Sequence, residues 1–189
     1  MEVDPIKEVE KIAEMKKVLK ERRKRERNTL LFVMGINTAL RIGDLLTLSV
    51  GDVLGDKGQI LKTMELKERK TGKTKRFPIN DSINNALSDY LEKRRIRDRS
   101  EPLFLSQKGE RLSRSQAWRI MKTAGESAGL ENIGTHSLRK TFGYHVYKKT
   151  GGDLGLVQKL LNHSASGVTL KYIGIDKERL DNTYLELNL

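Results

Sequence analysis

At 189 residues, with 37% hydrophobic and 33% charged residues, the chain has the size and mix of one polar globular domain able to bury a core. It holds no cysteine, which excludes disulfides and thiolate–zinc sites, and no apolar run approaches the length of a membrane span, so no membrane partner is expected. The formal net charge of +12 points to a polyanion partner, DNA or RNA, because the basic residues are dispersed through folded-looking segments as in a basic groove.

The opening residues Met1 to Pro5 lack the basic start and apolar core of a secretion signal, so the expected compartment is the cytoplasm. Asp4-Pro5 predicts a helix start, followed by a helical stripe of Ile6, Val9, Ile12, Ala13, Met15 and Leu19. Lys16 to Arg27 carries eight basic and two acidic residues and reads either as a solvated connector or as a DNA contact. Asn28-Thr29 is expected to cap a second helix whose run Leu30 to Met34 is too apolar to be anything but core. Arg41 then lies at the end of a buried helix and needs an anion, in the plainer reading Asp44.

Residues 51–79 change character. Val53 and Gln59 to Leu66 read as strand, Lys70-Thr71-Gly72-Lys73 as a hairpin tip, and Thr74 to Phe77 as the return strand, ended by Pro78. Asp81 is expected to cap a helix with a core stripe of Ile83, Ala86, Leu87, Tyr90 and Leu91, closed by the basic Arg94-Arg95-Ile96-Arg97. Pro102 to Ser106 reads as a short extended piece turning at Lys108-Gly109. Ser113 caps a helix to about Ser127, with Trp118 and Ile120-Met121 expected inside.

Thr135 is expected to cap a helix that puts His136 and Arg139, three apart, on one face at its positive end, a natural phosphate site. His145 on the same helix reads as structural. Asp153 caps a short helix ending at Asn162-His163, Ser166 to Ile173 carries Tyr172, and Asp176 is expected to cap a last helix with Leu180, Tyr184 and Leu187. Two arginines, two histidines and a tyrosine are suited to work on a phosphate. Arginine grips non-bridging oxygens, histidine handles protons near neutral pH, and tyrosine can attack and form a covalent bond.

The motifs Ala39-Leu40-Arg41-Ile42-Gly43-Asp44, Thr135-His136-Ser137-Leu138-Arg139, Leu161-Asn162-His163-Ser164 and Tyr172, in this order and spacing, resemble the catalytic domain of the tyrosine recombinases, or phage-type integrases. Asn162 departs from the family's usual glycine, and asparagine also tolerates left-handed backbone. The resemblance implies a mainly α fold with a small antiparallel β-sheet (α+β), tyrosine recombinase catalytic-domain-like. It implies an N-terminal helix and basic connector over 1–27 and the catalytic domain over 28–189, with the family's separate N-terminal core-binding domain expected to be absent. It implies site-specific recombination of double-stranded DNA through a 3′-phosphotyrosyl intermediate, with no metal and no other cofactor, by a homo-oligomer (dimer or tetramer) assembled on DNA.

In that scheme Tyr172 attacks, Arg41 and Arg139 clamp the phosphate, His136 assists the proton of Tyr172, His163 hydrogen-bonds the phosphate, and Lys70 protonates the leaving oxygen, with Lys73 as runner-up. Lys73, Lys75, Arg111, Arg114 and Arg119, together with Ser113 and Ser115, are the expected DNA contacts. Three other readings stay open. One is a non-catalytic DNA-binding relative, and another is DNA relaxation of the type IB kind. The third is a metal-dependent nuclease built on Asp52 and Glu65-Leu66-Lys67.

Overall fold

The computed structural model describes residues 3–67, 72, 74–175 and 184–186. The described residues form eight α-helices and one two-stranded antiparallel sheet, the mainly helical α+β architecture expected from the sequence. The helices are α1 (Val9–Lys20), α2 (Arg25–Thr38), α3 (Ile42–Leu45), α4 (Asp81–Glu92), α5 (Arg114–Ser127), α6 (Thr135–Lys149), α7 (Leu154–Leu161) and α8 (Ser166–Ile173). The strands β1 (Thr63–Lys67) and β2 (Thr74–Pro78) pair in the register Thr63 to Pro78 through Lys67 to Thr74. The expected general acid Lys70 and its runner-up Lys73 fall outside the described residues, as does the helix start at Asp176.

The main core gathers α1, α2, α4 and α5 around Leu30, Leu31, Phe32, Met34, Leu87, Phe104 and Met121, and Leu138 of α6 reaches into it. A second cluster lies under the site: Ala39, Tyr144, Val157, Leu161, Ile173 and Ile175. Two glycines let α6 serve both. A Cβ on Gly35 of α2 would stand 2.5 Å from Leu138 Cδ1. A Cβ on Gly143 of α6 would stand 2.7 Å from Ile173 Cγ2 and 3.0 Å from Leu161 Cδ1. The bare backbone at these two points is what allows α2, α7 and α8 to close on α6.

Local chemistry placed several ends as expected. Ser113 caps α5 in a capping box with Gln116, Asp153 accepts from the Leu156 amide at 2.9 Å, and Asn162 ends α7 in left-handed backbone at φ 53. Several other expectations are corrected. The chain does not turn helical at Asp4-Pro5. The Ile6 amide donates to Thr141 Oγ1 at 2.8 Å and its carbonyl lies 3.0 Å from His145 Nε2, so α6 takes the backbone groups a helix would have used and α1 waits until Val9. α2 begins at Arg25 rather than beside Asn28, because Lys24 reverses the chain in left-handed backbone at φ 59. β1 begins at Thr63 rather than Gln59, since a turn at Gly55–Gly58 returns the Gly55 amide onto the Gln59 carbonyl first. The cap of α4 is Asn80, one residue before Asp81, and that of α6 is Gly134, one before Thr135.

Trp118 is the larger correction. It is 44% exposed, because the buried face of α5 runs Ala117, Met121 and Ala124, and Trp118 sits one helical step beyond it. No helix among the described residues is long and apolar enough to cross a membrane.

The close approach at Gly143 makes a direct prediction. Gly143→Ala forces α7 and α8 away from α6 and should destabilise the chain by about 1–3 kcal/mol in urea unfolding. An unchanged midpoint would mean the helices can separate without cost.

Candidate active site

Arg139 stands at the centre of the candidate site. It leaves the first turn and a half of α6, is 97% buried by its 3% exposure, and has no room to face water. Its guanidinium donates through Nη1 to the Ala39 carbonyl and through Nη2 to the Leu161 carbonyl. The first closes α2, where Ala39 is held in left-handed backbone at φ 56, and the second closes α7. One buried cation therefore joins the segment leading into Arg41 to the segment leading into His163. Arg41 itself precedes α3 in extended backbone, half-buried.

His163 and Tyr172 meet edge-on, with ring centroids 4.8 Å apart. The Arg139 guanidinium is close enough to the Tyr172 phenol to favour its ionised form. Burial pushes the Tyr172 phenol above its ordinary value, and Arg139, then the charge of Arg41, oppose that push. Burial holds His163 down at about 4, with Arg139, Arg41 and Lys75 adding repulsion. His136, at the surface on the first turn of α6, is lowered by the protein mass on its inner side first, and then by Arg139, Lys140 and Arg41. Both imidazoles are thus neutral at neutral pH in a site crowded with cations, and each is able to take or share a proton. His136 and Arg41 share a cleft of 530 Å³ with Gly43, Arg114 and Trp118.

The structure thus brings Arg41, His136, Arg139, His163 and Tyr172 into one neighbourhood of one chain. The expected DNA contacts divide. Arg114 and Ser115 line the cleft beside Arg41, and Arg119 is exposed farther along α5. Lys75 reaches back to the Leu160 carbonyl at 3.0 Å, tying β2 to the end of α7 beside His163. Arg111 stays exposed and donates through Nη1 to the Leu46 and Leu48 carbonyls. The carboxylates of the nuclease reading are engaged separately. Asp52 accepts from the Ser49 amide and hydroxyl at 2.7 and 2.8 Å, and Glu65 lies 3.8 Å from Arg76 across the hairpin.

The model of the phage integrase family matches residues 6–179. The chain belongs to the phage integrase family. This integrase-family chain is 42% identical over 183 residues to a Bacillus subtilis protein described as a probable integrase/recombinase, YoeC, covering 96% of this chain and 95% of that one. It is 32% identical over 149 residues to the tyrosine recombinase XerC of Pelobacter propionicus, covering 78% of this chain and 47% of XerC. It therefore spans almost all of YoeC and about half of XerC. Among solved structures it is similar to a XerH site-specific recombinase bound to a palindromic difH substrate in a post-cleavage complex. That likeness has a TM-score of 0.71 at 25% identity, over 97% of this chain and 52% of that one.

Two residues of the site escaped the sequence reading. Lys140, next to Arg139, is buried with its Nζ 5.5 Å from the centre of the Tyr172 ring, where a cation is attracted to the π-face. Its place beside Arg139 was the only available signal. Thr169 is fully buried, and its Oγ1 lies 3.2 Å from His163 Nδ1 and 3.2 Å from the Ala165 carbonyl. The hydroxyl has one hydrogen. Spent on Ala165, it leaves Oγ1 to accept from Nδ1–H and makes Nε2 a bare acceptor. Turned to Nδ1, it leaves the hydrogen on Nε2, ready to donate to a phosphate oxygen. A threonine one turn of α8 before Tyr172 thus sets what His163 offers.

Thr169→Val keeps the shape and removes this choice. It should slow strand cleavage by about tenfold with DNA affinity unchanged, the usual scale for losing an orienting partner. Equal loss of binding and cleavage would instead mark Thr169 as packing alone. A second expectation concerns acid. Below pH 6.5 the unfolded chain protonates at His163, while the folded chain resists until about 4. Stability should therefore fall as pH drops through that window and level off below it. His163→Gln should flatten that part of the Tm-against-pH curve.

Proposed function

We propose that this chain cleaves and rejoins DNA strands in site-specific recombination, through a covalent bond between Tyr172 and a 3′-phosphate. The observation that carries the reading is the contiguity of Arg139, His163 and Tyr172 within a single chain, with Arg41 and His136 beside them. Tyr172 Oη attacks the phosphorus and its proton passes to the neutral His136. The P–O5′ bond breaks, and the 5′-oxygen takes a proton from Lys70, which the hairpin between β1 and β2 would carry to it. One phosphodiester is exchanged for another, so the bond energy is kept and a 5′-hydroxyl can reverse the step on a second strand. Arg41, Arg139 and a donating His163 stabilise the charge that grows on the non-bridging oxygens.

Duplex DNA is the partner that the net charge of +12 favours, with Arg114 and Arg119 on α5, and Lys75 and Lys73 on the hairpin, as its phosphate contacts. Strand exchange pairs two duplexes, so the working form is a homo-oligomer assembled on DNA.

The test is a nicked suicide substrate carrying the recombination site. A covalent protein–DNA band should form in EDTA, map to Tyr172, and vanish in Tyr172→Phe. An adduct on Tyr184, or a strict need for a divalent metal, would overturn the reading. Lys70→Ala should lower cleavage by about 10²–10⁴-fold, the worth of a positioned acid. A substrate with sulfur in place of the bridging 5′-oxygen should restore Lys70→Ala but not Arg41→Ala, since a thiolate leaves without a proton. Rescue of Lys73→Ala instead would move the acid by three residues.

A further inference from the structure

The basic stretch before α2 and the basic end of α4 meet in space, away from the site described above. They line a cleft of 330 Å³ with Lys24, Glu26, Arg27, Lys93, Arg94 and Arg95 on its walls. It lies at the N-terminal end of α2, about 20 Å along the helix from the end that leads into Arg41.

Two of its guanidinium groups are out of water. Arg27 is 6% exposed, and among the described residues it meets no carboxylate. It donates to the Leu105 carbonyl at 2.6 Å and to the neutral Asn28 Oδ1 at 2.6 and 3.0 Å. Burial lowers its pKa, which reports the cost of a charge held there without a counter-ion. The Arg94 side chain is also 6% exposed. It donates to the Leu103 carbonyl and to Glu101, while its buried Nε has no hydrogen-bond partner among the described residues.

The acids in reach are already committed: Glu26 pairs with Arg25 at 2.7 Å and Lys93 at 2.9 Å, and Glu101 pairs with Arg94. Among the described residues, Lys24, Arg27 and Arg95 remain as uncompensated charge around the cleft, at the positive end of a 14-residue helix.

We propose that this cleft is a second phosphate-binding site, which holds a phosphoryl group between Arg27, Arg94 and the rim residues Lys24 and Arg95. A phosphoryl group fits because it presents several acceptor oxygens to forked donors approaching from different walls. A carboxylate would leave part of the donor set unused. The phosphate is that of a DNA backbone running past the domain or of a free phosphate ester, and the two share this chemistry. The inference does not depend on the strand-cleaving reading of the site around Tyr172.

The probe is inorganic pyrophosphate, titrated at constant ionic strength into the full 15N-labelled chain and followed by NMR. Saturable shifts should appear at amides 24–28, 94–95 and 105–109, separately from any near His163. In Lys24→Ala/Arg95→Ala, two exposed rim changes that leave the buried arginines in place, those shifts should need at least tenfold more pyrophosphate. Shifts near His163 should keep their midpoint. No saturable shift at 24–28, or an unchanged midpoint in the double variant, overturns the proposal.

Duplex binding by the same variant identifies the source. A slope of log affinity against log salt reduced by about two assigns the site to the DNA backbone. An unchanged slope beside lost pyrophosphate binding assigns it to a free phosphate ester.

Discussion

A buried guanidinium satisfied by main-chain carbonyls is the constraint around which the site is arranged. Arg139 cannot stay inside the protein unless its donors are met, and the Ala39 and Leu161 carbonyls meet them. Those carbonyls belong to the ends of two helices that are far apart in sequence. Because helix ends carry spare acceptors, one cation closes both, and the residues that follow each end are thereby placed. Arg41 follows the first and His163 the second. The residue that grips the substrate in our reading is thus also the residue that fixes where its partners stand. A change at Arg139 is therefore expected to act on fold and chemistry together, unlike a change at Tyr172.

The electrostatics follow from this arrangement. Arg41, Arg139, Lys140 and Lys75 surround two imidazoles and a phenol, with burial on the inner side. Burial and the neighbouring cations both disfavour the protonated imidazole, so His136 and His163 are neutral rings at neutral pH.

Packing sets the distances that chemistry needs. α6 carries His136 and Arg139, and it touches α2, α7 and α8 through two positions where a side chain would not fit. Gly35 admits Leu138, and Gly143 admits Ile173 and Leu161. The second hydrophobic cluster then forms directly beneath Tyr172, which rides on a helix seated by Ile173, its own neighbour in sequence. The N-terminal segment adds to this frame, since the backbone of Ile6 is held by Thr141 and His145 on the outer part of α6.

The order and spacing of Arg41, His136, Arg139, His163 and Tyr172 were legible without coordinates, as were the caps at Ser113 and Asp153 and the left-handed stop at Asn162. Each depends on residue type and on neighbours within one turn, and such short-range preferences are written in the sequence. Trp118 was misplaced because a one-residue rotation about α5 decides between core and surface, and periodicity is too coarse to resolve it. Arg111 stays at the surface, and its bonds to the Leu46 and Leu48 carbonyls come from tertiary contact that the sequence did not signal. Thr169 gave no signal, because its use lies in a hydrogen bond to a ring six residues away, formed only once α7 and α8 have packed. Arg27 read as one more charge in a basic run, and only the approach of the segment around Leu105 buries it. What the sequence by itself determined was which groups are available and which local turns present them. Which of those groups lose water, and so gain strength or a shifted pKa, was decided by long-range packing, because desolvation depends on every segment that comes near and not on the residue's own neighbours.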